Sequence, residues 1–183
     1  MSTKYKFQNH KTGVYFVSFA VVYWIDVFIR NVYKNELMAS LKYCQENKGL
    51  VLYAWVIMPS HVHLIFGTEN DKPSDFMRDF KKYTFKRIIE AIKNNAEESR
   101  REWMLWMMEQ AGKRNSNVTH YQFWQQSNHP VEIWSKPVVE QKLHYLHHNP
   151  VVSGFVNEPE HWLYSSAVDY AGGKGLVDVN LIV

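Results

Sequence analysis

The stretch from Leu50 to Gly67, LVLYAWVIMPSHVHLIFG, constrains this chain more than any other. Leu50 to Met58 is rich in β-branched and aromatic residues, Pro59-Ser60 is a turn signal, and His61 to Gly67 alternates as a strand does. Together they predict a β-hairpin. On the second strand, Val62, Leu64 and Phe66 share one face, and His61 and His63 share the other. Burying the apolar set on helices leaves two imidazoles side by side on an open sheet surface. Imidazole is a common ligand for divalent metals, and a rigid strand fixes the spacing of a pair. Two histidines do not close a metal site. A third ligand has to come from elsewhere, and an open coordination position then suits a substrate oxygen. Ordinary wet-face polar residues are the plain alternative.

The remaining elements follow from periodicity. Val14 to Tyr23 reads as a strand packed on at least one face. Asn35 reads as the cap of a helix carried by Leu37, Met38, Leu41 and Cys44 and stopped at Lys48-Gly49. Ser74 opens a long helix through Phe76, Met77, Phe80, Tyr83, Thr84 and Ile88, extending to about Arg101. Gly112 to Asn117 is a loop, and the aromatic segment Tyr121 to Trp134 reads as a further strand. Ser135-Lys136-Pro137 begins a final helix, which Asn149-Pro150 ends because proline disfavours helical geometry in the residue before it. The order predicts one α+β domain over residues 1–183, a ferredoxin-like antiparallel sheet with helices on one face. No repeat or low-complexity tract divides its 183 residues.

Composition narrows the class. Hydrophobic residues at 46% and charged residues at 21% exclude a disordered chain. The single cysteine, Cys44, excludes an internal disulfide and a multi-cysteine zinc site, which fits a reduced cytoplasmic protein. Lys4, Lys6 and Lys11 precede an apolar stretch from Val14 to Ile25, in imitation of a secretory signal. No small-residue cleavage site follows, Asp26 closes it, and it falls short of the ~20 residues a membrane helix needs. A buried strand and no membrane partner are the expectation.

The net charge is only +3, but its distribution is uneven. Between Arg78 and Lys93 the chain carries six basic residues against two acidic ones. Arg78, Lys81, Lys82, Lys86 and Arg87 form a candidate nucleic-acid footprint, with a solvated helix face as the alternative. Aromatic residues make up 15% of the chain and supply stacking surfaces, Trp103 and Trp106 among them, unless they pack the core.

A partner for the histidines lies on the final helix. Tyr145 and Asn149 are four apart and share a face with Gln141. Asn149 offers a neutral oxygen ligand. The Tyr145 phenol, with an ordinary pKa near 10, is a poor nucleophile unless its electrophile is strongly polarised, as a phosphodiester held by a divalent metal is. Tyr83, on the basic helix, is the rival nucleophile. His144, His147 and His148 surround Tyr145 and are left out of the site as solvated helix residues.

Met-Pro-Ser-His-Val-His-Leu-Ile at 58–65 and Tyr-Leu-His-His-Asn-Pro-Val at 145–151 resemble the single-tyrosine HUH transposases, most of all the REP-associated tyrosine transposases and their insertion-sequence relatives. Phe123-Trp124-Gln125 through Trp134 is similar to the segment before the catalytic helix of that family, and Trp162-Leu163-Tyr164-Ser165-Ser166 to a closing signature. The resemblance spans about residues 14–171. It implies His61 and His63 as paired metal ligands, Asn149 as the third, Tyr145 as nucleophile, and Mg²⁺ or Mn²⁺ as the cofactor. The implied reaction is cleavage and rejoining of hairpin-forming single-stranded DNA through a 5′-phosphotyrosine link, by a monomer or a homodimer. The stretch from about Glu97 to His120 is longer and richer in Trp and Met than the resemblance leads one to expect. A domesticated nicking enzyme at chromosomal palindromes and a non-catalytic binder of structured nucleic acid stand as alternatives.

Overall fold

The computed structural model describes residues 13–126 and 128–182. Among the described residues four strands and five α-helices follow one another: β1 (Tyr15–Ala20), α1 (Asn31–Asn47), β2 (Leu50–Ile57), β3 (His61–Thr68), α2 (Pro73–Asn94), α3 (Arg101–Lys113), β4 (Val131–Glu132), α4 (Lys136–Val152) and the short α5 (Ala167–Tyr170). The strands lie in the order β2-β3-β1-β4, and every pairing is antiparallel. The β1–α1–β2 connection therefore crosses β3, which leaves the histidine strand in the interior of the sheet. This is the ferredoxin-like order that the patterning predicts.

Both faces of the sheet are covered. On one, Val17, Phe19, Leu52, Trp55, Ile57, Val62, Leu64 and Phe66 pack against Tyr33, Leu37 and Leu41 of α1 and Met77, Phe80 and Ile88 of α2. On the other, Phe16, Tyr53, Ala54, Val56 and Ile65 pack against Val139, Leu143 and Leu146 of α4. Each fully buried side chain of this size contributes roughly 1.5–3 kcal/mol. The expectation of helices on one face holds for α1 and α2 and fails for α4. The cause is β2: an irregularity between Leu52 and Ala54 turns Tyr53 and Ala54 to the same face, so this strand is apolar on both sides and needs cover on both.

Several boundaries differ from what the sequence predicts. The first strand stops at Ala20 because the chain turns sharply at Val22–Trp24, with Tyr23 and Trp24 in the left-handed region (φ 54° and 56°). The first helix starts at Asn31, a turn before Asn35, because Tyr33 is already buried against the core; Asn35 instead accepts a hydrogen bond from the Tyr164 hydroxyl (3.3 Å). The helix expected to reach Arg101 breaks at Asn95, whose Oδ1 caps the Glu97 amide (3.1 Å) and whose Nδ2 donates to the Tyr33 hydroxyl (3.2 Å). After that break Glu98 is buried among Arg30 (2.7 Å) and Arg100 (3.1 Å), and α3 begins. The aromatic segment supplies one bridge, Trp124 to Val21, and the two-residue β4 rather than a full strand. Among the described residues no helix is long and apolar enough to cross a membrane.

Candidate active site

β3 turns His61 and His63 toward α4, and its register with β1 sets Ala20 opposite His61 and Ser18 opposite His63. These small cross-strand partners leave room around both rings, whose centroids lie 4.9 Å apart at 81°. The rings do not lie on the open surface that the sequence predicts. α4 covers them, and His63 is only 2% exposed. α4 brings Tyr145 to 5.2 Å from the His63 ring, centroid to centroid, and the Asn149 amide to 3.0 Å from His63 Nε2. Tyr145 itself is 50% exposed, so its phenol remains open to a large substrate.

The helix that carries Tyr145 and Asn149 continues through Pro150, where the sequence predicts its end. Pro150 removes only one donor, toward the Leu146 carbonyl, and sits within the last turn. Ser153 donates to the Asn149 carbonyl (3.0 Å), Phe155 donates to that of Pro150 (3.0 Å), and Gly154, with φ 76°, ends the helix.

Ser18 fixes His63 from behind, its hydroxyl hydrogen-bonded to Nδ1 (2.5 Å), and Ser60 does so more loosely for His61 (3.3 Å). Engaging Nδ1 leaves Nε2 of His63 directed at Asn149, which is how ligating histidines are commonly oriented. Burial pushes the His63 pKa down to about 3, helped by the charges of His61 and Lys142. Burial lowers His61 as well. Both imidazoles are therefore neutral at neutral pH, the form that ligates a metal, the His63 Nε2 lone pair becoming available once the Asn149 amide turns. Phe16 stacks beside His63 (5.9 Å) and meets Tyr145 edge-on (6.3 Å), while the Lys142 ammonium sits 4.7 Å above Phe16.

Two imidazoles and one amide are a donor set for a divalent ion whose remaining positions take water or substrate oxygens. The amide is reversible by a half turn, which would present Oδ1 in place of Nδ2. Among the described residues no cluster of three or more His, Cys, Asp or Glu is arranged to hold a metal. The donors that fit are His61, His63 and Asn149.

The other candidates lie elsewhere. Tyr83, on the α2 side of the sheet, stacks on Tyr43 of α1 (6.3 Å, 16°) and does not join the histidines. Arg78 is paired with Asp75 (2.7 Å) and Asp79 (3.0 Å), and Arg87 with Glu36 (3.1 Å). Lys81 donates to the Gln125 carbonyl (3.0 Å) and to Asn128 (3.1 Å), and burial pushes its pKa down to about 8. Lys82 and Lys86 are exposed and make no ion pair or hydrogen bond among the described residues. The basic helix thus flanks the face opposite Tyr145. Gln141 is exposed, as are Trp103 and Trp106.

Two further motifs serve the frame. The Trp124 indole is buried and donates to Thr84 (3.1 Å). Trp162 donates to the Ile57 carbonyl (3.1 Å), Ser165 bridges Val56, and Ser166 joins the Trp55 amide (3.0 Å) to His147 of α4 (2.9 Å). That clamp holds the Tyr145 helix to β2. It also removes His147 from the solvated class, since the ring is buried. Sequence reasoning missed Ser18, Phe16 and Lys142. Lys142 was recoverable, lying three residues before Tyr145 on the same helical face; Ser18 was not, because strand register is invisible in a sequence.

Comparison with known proteins places the chain among DNA-processing enzymes of the transposase class. The chain belongs to the IS200-like transposase family, whose model matches residues 12–148. Its fold is similar to that of a REP-associated tyrosine transposase solved bound to a REP hairpin, with a TM-score of 0.61 at 17% identity over 100% of this chain and 94% of that one. A putative transposase from Deinococcus radiodurans R1 is similar at 20% identity, over 78% of this chain and 89% of its own, with a TM-score of 0.47. No curated protein matches the chain.

Proposed function

We propose that this transposase cleaves and rejoins single-stranded DNA at hairpin-forming ends, with Tyr145 as its nucleophile. The observation that carries the reading is the convergence of His61, His63, Asn149 and Tyr145 from two separate elements onto one site. His61, His63 and Asn149 would hold Mg²⁺ or Mn²⁺. When bound, the metal ion supplies Lewis-acid polarisation of the scissile phosphate.

The chain's own residues set up the rest. α4 holds the Tyr145 phenol over the pair, half open to an incoming strand. As its oxygen bonds to phosphorus, the phenolic proton leaves to solvent and the P–O3′ bond breaks. The departing oxygen takes up a proton, giving a 3′-OH and a 5′-phosphotyrosine link. Because that link is itself a phosphodiester, a second 3′-OH reverses the step without ATP. The Lys142 ammonium, close to Phe16 and felt by His63, adds positive charge where the phosphate must lie. Lys82 and Lys86 contribute salt-dependent affinity for phosphates on the far face.

His61→Ala and His63→Ala separate this reading from a non-catalytic binder. Cleavage of a hairpin-flanked oligonucleotide should be lost in both, while salt-sensitive hairpin binding is largely kept. Equal loss of binding in a folded variant would give the histidines another role.

A further inference from the structure

Trp24 stands beside the site on backbone that local preference opposes. Tyr23 and Trp24 both adopt left-handed φ (54° and 56°), a conformation disfavoured for residues with a Cβ and unusual for bulky aromatics. The surrounding structure enforces it. Val21 donates to the Ser60 carbonyl (2.9 Å), Val22 to that of Phe123 (2.8 Å), Trp24 to that of Val21 (3.0 Å) and Phe28 to that of Pro59 (2.8 Å). Val22, Ile25, Val27 and Phe28 are buried on either side. A strained residue usually gains burial in return, yet Trp24 is 60% exposed. The ring contact it makes is edge-on to His61, at 5.6 Å and 76°. Strain of this kind, over-determined by its neighbours, is concentrated at functional sites.

We propose that Trp24 is the stacking platform for an unpaired nucleobase of the strand adjoining the phosphate that Tyr145 attacks. This rests on the function proposed above. A phosphate within reach of Tyr145, beside His61 and His63, would bring the neighbouring nucleotide close to the indole, which meets His61 edge-on and is otherwise exposed. Every base presents a π-face, so the contact orients the strand without reading its sequence. An anchored base also fixes the direction in which the strand crosses Tyr145, which is what an in-line attack requires.

The test begins with wild-type protein, Mn²⁺ and an end-labelled single strand, to map the cleaved phosphate. Failure to cleave would defeat the reading of the reaction before that of Trp24. With the position known, 2-aminopurine is placed at each nucleotide beside it, and binding is followed in the Tyr145→Phe background, which leaves the strand intact. One position should be quenched on binding. Trp24→Gly should abolish that quench and weaken binding roughly 5- to 150-fold. Because it also releases the left-handed strain, its melting temperature should be unchanged or higher. Trp24→Phe should keep most of the quench. Trp24→Asn, which also tolerates left-handed geometry, serves if the glycine variant does not fold. A quench and an affinity that survive Trp24→Gly or Trp24→Asn would overturn the proposal while leaving the reaction standing. A lower melting temperature with binding unaltered would make Trp24 a structural residue only.

Discussion

The two faces of β3 divide the labour of this molecule. Toward α1 and α2 it presents Val62, Leu64 and Phe66, all buried and apolar, in a layer whose only business is to exclude water. Toward α4 it presents His61 and His63 beside Ile65, so the apolar layer is interrupted by two neutral imidazoles. A buried polar group is costly unless hydrogen-bonded, and the α4 face meets that requirement with Ser18, Ser60 and Asn149. One face is built for stability and the other carries the proposed site, on the same eight residues.

Substitutions on the two faces should therefore fail in different ways. His63→Ala should lower cleavage per folded molecule by on the order of a thousandfold, since metal-borne charge stabilisation is worth several kcal/mol, a loss of turnover far beyond whatever its burial costs in stability. Leu64→Ala, next door on the other face, should cost about 3 kcal/mol of stability in chemical denaturation and leave kcat intact in the protein that remains folded. A Leu64→Ala variant that kept its stability but lost turnover would erase the distinction.

The stability face has an ionic outpost that makes it pH-sensitive. Burial pushes the Glu98 carboxyl up, but hydrogen bonds and charge from Arg100, with Arg30, outweigh this and hold its pKa below the ordinary value. A depressed carboxylate contributes stability in full above its unfolded pKa of about 4.3 and loses it as pH falls from there through the folded value. Glu98→Gln should cost on the order of 3 kcal/mol at pH 7 and flatten the acid limb of the stability curve. An unchanged acid limb would assign that limb to other groups.

A finer probe of the chemical face is Ser18→Ala. Ser18 is exposed, so the fold should be indifferent, whereas removing the group that orients His63 should weaken Mn²⁺ binding about 10- to 100-fold by calorimetry. The smallest effect belongs to the far side. Replacing Lys82 and Lys86 together with Ala should reduce the salt dependence of hairpin binding by a slope of roughly 2, with cleavage of the bound strand unaffected.

What was legible in the sequence follows the same divide. Strand alternation alone assigns His61 and His63 to one face, and helical spacing alone places Tyr145 with Asn149; both elements stand where expected. That they meet could not be read from spacing, because the cover of α4 on the histidine face depends on the two-sided apolar character of β2 and on the Ser166–His147 clamp. Pro150 misled because its missing amide falls in a final turn, where its loss costs little. The basic stripe was correctly placed on a helix, but three of its five members have partners that sequence does not reveal: Asp75 and Asp79 for Arg78, Glu36 for Arg87, and the Gln125 carbonyl for Lys81.

The central claim is that Tyr145 forms the covalent bond to DNA. Labelled single strands carrying hairpin-forming palindromes, incubated with protein and Mn²⁺ and run on denaturing gels, test it directly when wild type, Tyr145→Phe and Tyr83→Phe are compared. The structure's arrangement predicts a protein–DNA adduct in wild type and Tyr83→Phe and none in Tyr145→Phe. An adduct that persists in Tyr145→Phe, or that disappears only in Tyr83→Phe, would contradict it.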